Sequence, residues 1–312
     1  MKEYIGILGH DIDLVLPGFE RLHPKGVFKC AAFDNRSSEE WFLSFVTKVK
    51  SAISNRFLPI YRMADGEYRF CVGKRHPFRD INESRCYYFV RTLGKAVREF
   101  RYNLLRKPFS AGGRNYISGN YEINEVGVLR KLYAAQLRLI SQRGLLALNF
   151  AYRQKPVMQQ YFVPIMAWLN EQNIILHEMN YCPFHFVYAL LTGPYRHQIY
   201  QKRRVLIVTS FDDTKRTAIT NGLKREGVSD IQFFKISQGQ SMYDIVDLSA
   251  IKQPIDLVLI GAGIGASNIL CQLQLLNTVV IDAGYIIECL ADPERKKQRA
   301  FCWPDKERFG EE

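Results

Sequence analysis

Of the 312 residues, 47% are hydrophobic and 13% aromatic, which suits one large domain or two small ones and excludes a disordered chain. Lys and Arg number 43 against 31 Asp and Glu, a net charge of +12 that favours anionic partners: nucleic acid, anionic lipid heads or phosphorylated small molecules. No apolar run reaches the roughly 18 residues of a spanning helix. The N-terminal stretch "MKEYIGILGHDIDLVLPGFE" lacks the small-residue cleavage pattern of a secretory signal. The seven cysteines are odd in number, widely spaced and without C-x-x-C, which argues for free thiols and against zinc. The expectation is a cytoplasmic protein.

In chain order, residues 1–57 read as a loop-rich extension followed by a helix over "SSEEWFLSFVTKVKSAISN". Ser37 or Ser38 followed by the glutamate pair forms its N-cap, and Trp41, Phe42, Phe45, Val46, Val49 and Ile53 recur at helical spacing. "LPIYRM" follows as a strand. Residues 84–106 have the period of an amphipathic helix with a basic outer face. A Gly- and Asn-rich loop leads to a helix over 125–143, then a strand at "GLLALNF". A helix comes next, with Pro156 near its start and Pro164 inside it as a kink site. "NIILHE" reads as a strand and "CPFHFVYALLTG" as a helix.

The last third alternates more regularly. Strands are expected at "RRVLIVTSF", "DIQFFKI", "IDLVLIGAG" and "TVVIDAG". Helices are expected at "DTKRTAITNGLKREG", "SMYDIVDLSAI" and "GASNILCQLQLL". Continuous Val/Ile/Leu strands alternating with helices predict a Rossmann-like α/β fold, its mostly parallel sheet covered by helices on both faces. The main α/β domain spans 58–290, and 291–312 form a basic C-terminal tail.

Ligands of open α/β sheets bind outside the carboxyl ends of the strands, so the strand ends are the candidate site. "SFDD" after Val208 contributes Ser210 and Asp212. "GAGIGAS" after Ile260 places Gly261, Gly263 and Gly265 between a strand and a helix, where backbone can approach a phosphate. Its G-x-G-x-G spacing differs from the dinucleotide fingerprint, although Asp282 lies close to the ribose-binding offset. "MADGE" places Asp65 and Glu67 on one turn, able to present two hard oxygen ligands to one Mg²⁺ or Mn²⁺. A cation there would offset the charge of a diphosphate leaving group, and Arg62 offers its planar fork to the same diphosphate.

"YRMADGEYRF" resembles the R-F-G-D-G-E signature of bacterial glycosyltransferases of the GT-D fold, whose D-x-E motif binds a divalent metal with a nucleotide-sugar donor. "RRVLIVTSF" resembles the family's penultimate nucleotide-fold segment, and "DLVLIGAGIGASNILCQLQLLNTVVIDAGYI" its closing block of strand, G-P-T-A-T, helix and D-x-G-H. Asp65, Gly66, Glu67, Asp282 and Gly284 match; Ala64, the Gly261–Gly265 loop, Tyr285 and Ile287 depart from the pattern.

The resemblance implies a metal-dependent transfer from a nucleoside diphosphate sugar, a uridine one by expectation. Its acceptor would be a glycan or lipid-linked molecule of surface polysaccharide or glycoconjugate assembly. The metal would sit on Asp65 and Glu67, and the donor on Arg62, Gly66, Ser210, the three loop glycines, Ser267 and Asp282. Asp212, Glu178 or His177 would serve as base. The basic surface fits peripheral contact with the inner face of an anionic membrane, and no specific nucleic-acid signature is present. Three other readings stay open: an NAD(P)- or SAM-binding enzyme using "GAGIGAS", a nucleic-acid binder, and a catalytically inactive relative acting as a binding protein.

Overall fold

The computed structural model describes residues 8–19, 28–72, 121, 125–152 and 155–298, together with Cys86, Phe89, Val90, Leu93, Gly94 and Val97. Strands β1 (His10–Leu14) and β2 (Phe28–Ala32) pair antiparallel and precede helix α1 (Ser38–Ala52). The N-cap of α1 is Ser37, closed as a capping box with Glu40. Ser38 instead ties the helix to the end of β1, where its hydroxyl donates to Val15 O at 2.8 Å and accepts from Val15 N at 2.9 Å. The stretch expected to be loop therefore carries two strands.

The chain continues through β3 (Leu58–Met63), α2 (Asp65–Val72), α3 (Val126–Arg143), β4 (Leu145–Leu148), β5 (Ala151–Tyr152), α4 (Lys155–Glu171) and β6 (Tyr181–Pro183). It then forms α5 (Phe184–Thr192), α6 (Arg196–Tyr200), β7 (Arg204–Thr209), α7 (Asp213–Arg225), β8 (Asp230–Lys235), β9 (Leu257–Gly261), α8 (Ala266–Gln272), β10 (Val279–Asp282) and α9 (Ile286–Ala291). Helix α4 runs through Pro164.

A 7-stranded sheet in the order β6-β4-β3-β10-β9-β7-β8 forms the frame, and every registered pair in it is parallel. The fold is α/β, with helices on both faces. A second, 3-stranded sheet joins β1 and β2 to β5, so the chain leaving β4 runs into that sheet. The central strands β3, β4, β9 and β10 carry almost unbroken apolar side chains because both of their faces are covered. Tyr61 and Arg62 mark the two faces: the Tyr61 hydroxyl meets that of Tyr133 on α3 at 3.0 Å, whereas the Arg62 guanidinium lies over Phe184 of α5 at 4.8 Å. On the α5 side, Trp41 and Phe42 of α1 stack edge-on against Phe186, with ring centroids 5.2 and 5.4 Å apart. The N-terminal elements thus share one hydrophobic core with the sheet.

Two expected elements take other forms. "NIILHE" is not a strand, although Ile174 and Leu176 are buried and Ile175 is exposed as alternation predicts. Asn180 closes the segment on itself, accepting from His177 N at 2.8 Å and donating to Ile175 O at 3.0 Å. The strand starts only at Tyr181. In "SMYDIVDLSAI" only a 3₁₀ turn over Leu248–Ala250 forms. There the Asp244 carboxylate turns back to accept from Ser237 N and Oγ at 2.7 and 2.6 Å, competing with a helix. The basic helix expected over 84–106 lies outside the described residues except for the six named above, and of the C-terminal tail only 291–298 are described.

Candidate functional site

The crevice at the carboxyl end of β3 and β10 is where the chain leaves the sheet in two directions. The crossover from β3 to β4 runs through α3 on one face, while β10 leads into α9, which packs on α5 and α7 on the other. Such a divergence is where open α/β sheets bind ligands.

Arg62, the penultimate residue of β3, sits there with only 8% of its surface exposed. Its Nε donates to Asp282 O at 2.7 Å, and its backbone N–H donates to Asp282 Oδ2 at 3.3 Å. Asp282 Oδ1 stands 4.0 Å from Nη2, outside hydrogen-bonding reach. The terminal amino groups have no hydrogen-bond acceptor among the described residues, and Phe184 shields one face of the guanidinium. Gly284, at φ +46°, makes the seat possible, because a side chain there would overlap Arg62 Nη2.

Glu67 faces the same crevice from α2. Its Oε2 accepts from Ala64 N at 3.0 Å, across the turn that joins β3 to the helix. Burial pushes its carboxyl up to about 7, and the negative Asp282 adds to the rise. Burial likewise pushes Asp282 up to about 6, with Arg62 pulling the other way. A half-buried carboxyl, Glu67, and a buried one, Asp282, beside one guanidinium leave negative charge poorly compensated. A divalent cation beside Glu67 would supply the missing positive charge, so the donor set fits a hard metal ion. Asp65 opens α2 two residues earlier, and its side chain lies outside the described residues. Among the described residues alone, no three His, Cys, Asp or Glu side chains are grouped to hold a metal.

The other sequence candidates separate. Gly66 lies in α2 next to Glu67, half-buried. Ser210 follows β7 at the same edge of the sheet, half-buried. Asp212 is exposed and caps α7, its carboxylate accepting from Lys215 N at 2.9 Å. Glu178 and His177 precede β6, so in this parallel sheet they stand at the amino edge, opposite the crevice. Glu178 is exposed and faces Arg36 at 3.6 Å, and His177 Nδ1 accepts from Met179 N at 3.2 Å. They therefore stand away from the crevice: the strand they were expected to follow begins after them.

The "GAGIGAS" loop packs against the protein's own chain. A side chain at Gly265 would overlap Ser241, whose hydroxyl donates to Ala262 O at 2.7 Å. Asn268 of α8 donates to Ser241 O and Asp244 O at 3.1 and 2.9 Å, holding the segment after β8 against the loop. Ser267 is fully buried and donates to Gln136 Oε1 at 2.7 Å. Gly261 packs beside Ile287, and Gly263, at φ +55°, shapes the turn. The close backbone approach at Gly265 serves the protein's own chain, and the hydroxyl of Ser267 faces the interior.

Phe184 is the contributor that spacing did not single out. It is the first residue after β6, and a strand placed at Tyr181–Pro183 would have marked it as a strand-end residue.

No family model and no curated protein matches the chain. Two solved structures are similar in fold. One is described as the selenomethionine-substituted domain of unknown function 1792, the other as that highly conserved domain with a distinct glycosyltransferase fold. Each has a TM-score of 0.43 at 14% identity, over 82% of this chain and 85% of the other. Among the described residues, no helix is long and apolar enough to cross a membrane.

Proposed function

We propose that this chain is a metal-dependent glycosyltransferase that takes a sugar from a nucleoside diphosphate sugar, a uridine one, to a glycan or lipid-linked acceptor. The observation that carries the reading is Arg62: a nearly buried guanidinium whose terminal N–H groups meet no acceptor among the described residues, at the switch point of a parallel sheet, three residues before the D-x-E that opens α2. A buried guanidinium gains most from a bidentate oxyanion such as a phosphate. Glu67 with Asp65 would hold the Mn²⁺ or Mg²⁺, which when bound supplies Lewis acidity toward the diphosphate leaving group.

The protein's own residues orient and neutralise. Asp282 and Phe184 fix the plane of Arg62, and Gly284 leaves room beside its outer amino group. Gly66 and Ser210 stand at the same edge for the rest of the donor. Of the candidate bases only Asp212 lies at the carboxyl edge, and it serves there as a helix cap. The packing of Gly265 and Ser267 against protein weighs against the NAD(P) or SAM reading, which needs that loop open.

The test is thermal stability against nucleotides and nucleotide sugars, with Mn²⁺ and with EDTA, for the native chain and for Asp65→Ala/Glu67→Ala. A metal-dependent rise with UDP or UDP-sugars, absent in the double variant, is expected. A rise with NAD or SAM alone, indifferent to EDTA and to the substitutions, would overturn the proposal.

A further inference from the structure

In a parallel sheet every strand starts at one edge, and the helices that return to it end there. At this amino edge, three segments meet around the start of β7. Lys50 Nζ, in the last turn of α1, donates to Gln198 Oε1 of α6 at 2.8 Å. Arg196 Nε of α6 donates to Glu226 Oε1, just past α7, at 2.9 Å. Lys202 N donates to Gly227 O at 2.7 Å. Residues 48–56, 196–204 and 224–230 therefore make one continuous surface. They hold nine Lys and Arg against Glu226 and Asp230. Asp256, which pairs with Arg204, is a third acid at the border, so six positive charges are left in excess. That is half of the net +12. The ends of α1, α6 and α7 each offer only about half a negative charge, which leaves most of the excess facing water. Arg56, Lys202, Lys224 and Arg225 are all exposed.

Two apolar side chains stand out beside these charges. Met179 is 60% exposed, and its carbonyl accepts from Lys48 Nζ at 2.6 Å. Leu275 is 78% exposed, two residues before Asn277, whose Nδ2 donates to Asn55 O at 3.2 Å. We propose that this amino edge docks the protein onto an anionic lipid bilayer. The excess charge selects an anionic partner. Met179 and Leu275 select lipid, because an acyl layer takes up apolar side chains that a nucleic acid would leave in water. Basic residues close to the headgroups supply most of the attraction. A second copy is the weaker occupant, since two such surfaces would repel. The crevice at the carboxyl edge then opens away from the bilayer, about 20 Å above it by the six residues of β3 at ~3.3 Å each. The inference does not rest on the glycosyl-transfer reading; the edge would act alike whatever the crevice binds.

The experiment is co-sedimentation of the full chain with phosphatidylcholine vesicles containing or lacking phosphatidylglycerol, at rising salt. Binding only to the phosphatidylglycerol vesicles, weakening with salt, is expected. Lys202→Gln/Lys224→Gln/Arg225→Gln should weaken it about 100-fold. Lys131→Gln/Lys215→Gln/Lys235→Gln removes the same charge from exposed positions away from this edge and should weaken it less than 10-fold. Met179→Ser/Leu275→Ser, which keeps every charge, should weaken it about 10-fold. All three variants change exposed side chains, so their melting temperatures should stay near the native value. Absence of vesicle binding, or equal weakening by the two charge variants, would overturn the proposal. So would binding to polyuridylate that is indifferent to Met179→Ser/Leu275→Ser and stronger than binding to the vesicles, which would assign the edge to nucleic acid.

Discussion

Two Arg–Asp pairs hold strands of the same sheet at its opposite edges, and they are built differently. At the amino edge, Asp256, just before β9, accepts from Arg204 N, Nε and Nη2 at 2.8, 2.9 and 2.6 Å and from Ser54 Oγ at 2.6 Å. The Thr278 hydroxyl, just before β10, donates to the Asp256 carbonyl. That corner ties the starts of β7, β9 and β10 to the turn before β3, and its acceptors are filled. At the carboxyl edge, Arg62 and Asp282 share one good hydrogen bond to a carbonyl, while their charged ends stand 4.0 Å apart. The two carboxyls respond in opposite senses. The hydrogen bonds from Arg204 hold Asp256 well below the usual carboxylate range, whereas burial pushes Asp282 up to about 6. A saturated pair stabilises the fold; a buried pair left unsaturated, as this one is among the described residues, costs stability and keeps binding capacity for a ligand.

The largest effect expected from this contrast is on stability. Asp256→Ala removes a 5% exposed acceptor and leaves Arg204 N and Ser54 without their partner. It should cost about 3 kcal/mol in denaturant unfolding. Arg62→Ala should cost less, because Asp282 can take up a proton when its guanidinium is gone. Equal losses in the two variants would erase the distinction.

The pH dependence separates the pairs next. Asp256 is depressed in the folded state, so its contribution is present above the unfolded carboxylate value, near pH 4, and is lost as the pH falls through its folded value. Asp282 is raised, so its sign is reversed: its favourable contribution is complete below pH 4 and is lost as the pH rises through about 6. Comparing unfolding of Asp282→Asn with the native chain isolates that contribution. The two should match near pH 4, and the variant should gain by about 2 kcal/mol toward pH 7. A parallel pair of pH profiles would contradict the burial of Asp282.

The frame was legible because its cause is local. Unbroken runs such as "VLIV" and "LVLI" require a strand covered on both faces, and six of the seven strands of the main sheet, the half-exposed edge strand β8 among them, fall where strands were expected. β6 did not: Tyr181, Cys182 and Pro183 form too short a run to announce a strand, while the alternation of Ile174–Leu176 mimics one. That single misplacement carried Glu178 and His177 into the expected site and left Phe184 out. Arg62, Glu67 and Asp282 were legible as strand-end polar residues. The closing of Arg62 onto Asp282, and the packing of Ser241 on Gly265, join residues more than 20 positions apart, and no local spacing encodes them.

The central claim is that Arg62, whose terminal N–H groups meet no acceptor among the described residues, offers them to a phosphate, and that Gly284 keeps their seat clear. Titration calorimetry of UDP with Mn²⁺ into the native chain, Arg62→Ala and Gly284→Ala tests it most directly. Losing a charge-assisted hydrogen bond should weaken binding about 10- to 100-fold in Arg62→Ala. Gly284→Ala should match it, by pressing a methyl group into Nη2. Native-like affinity in Arg62→Ala would contradict the account and return Arg62 and Asp282 to a purely structural pair.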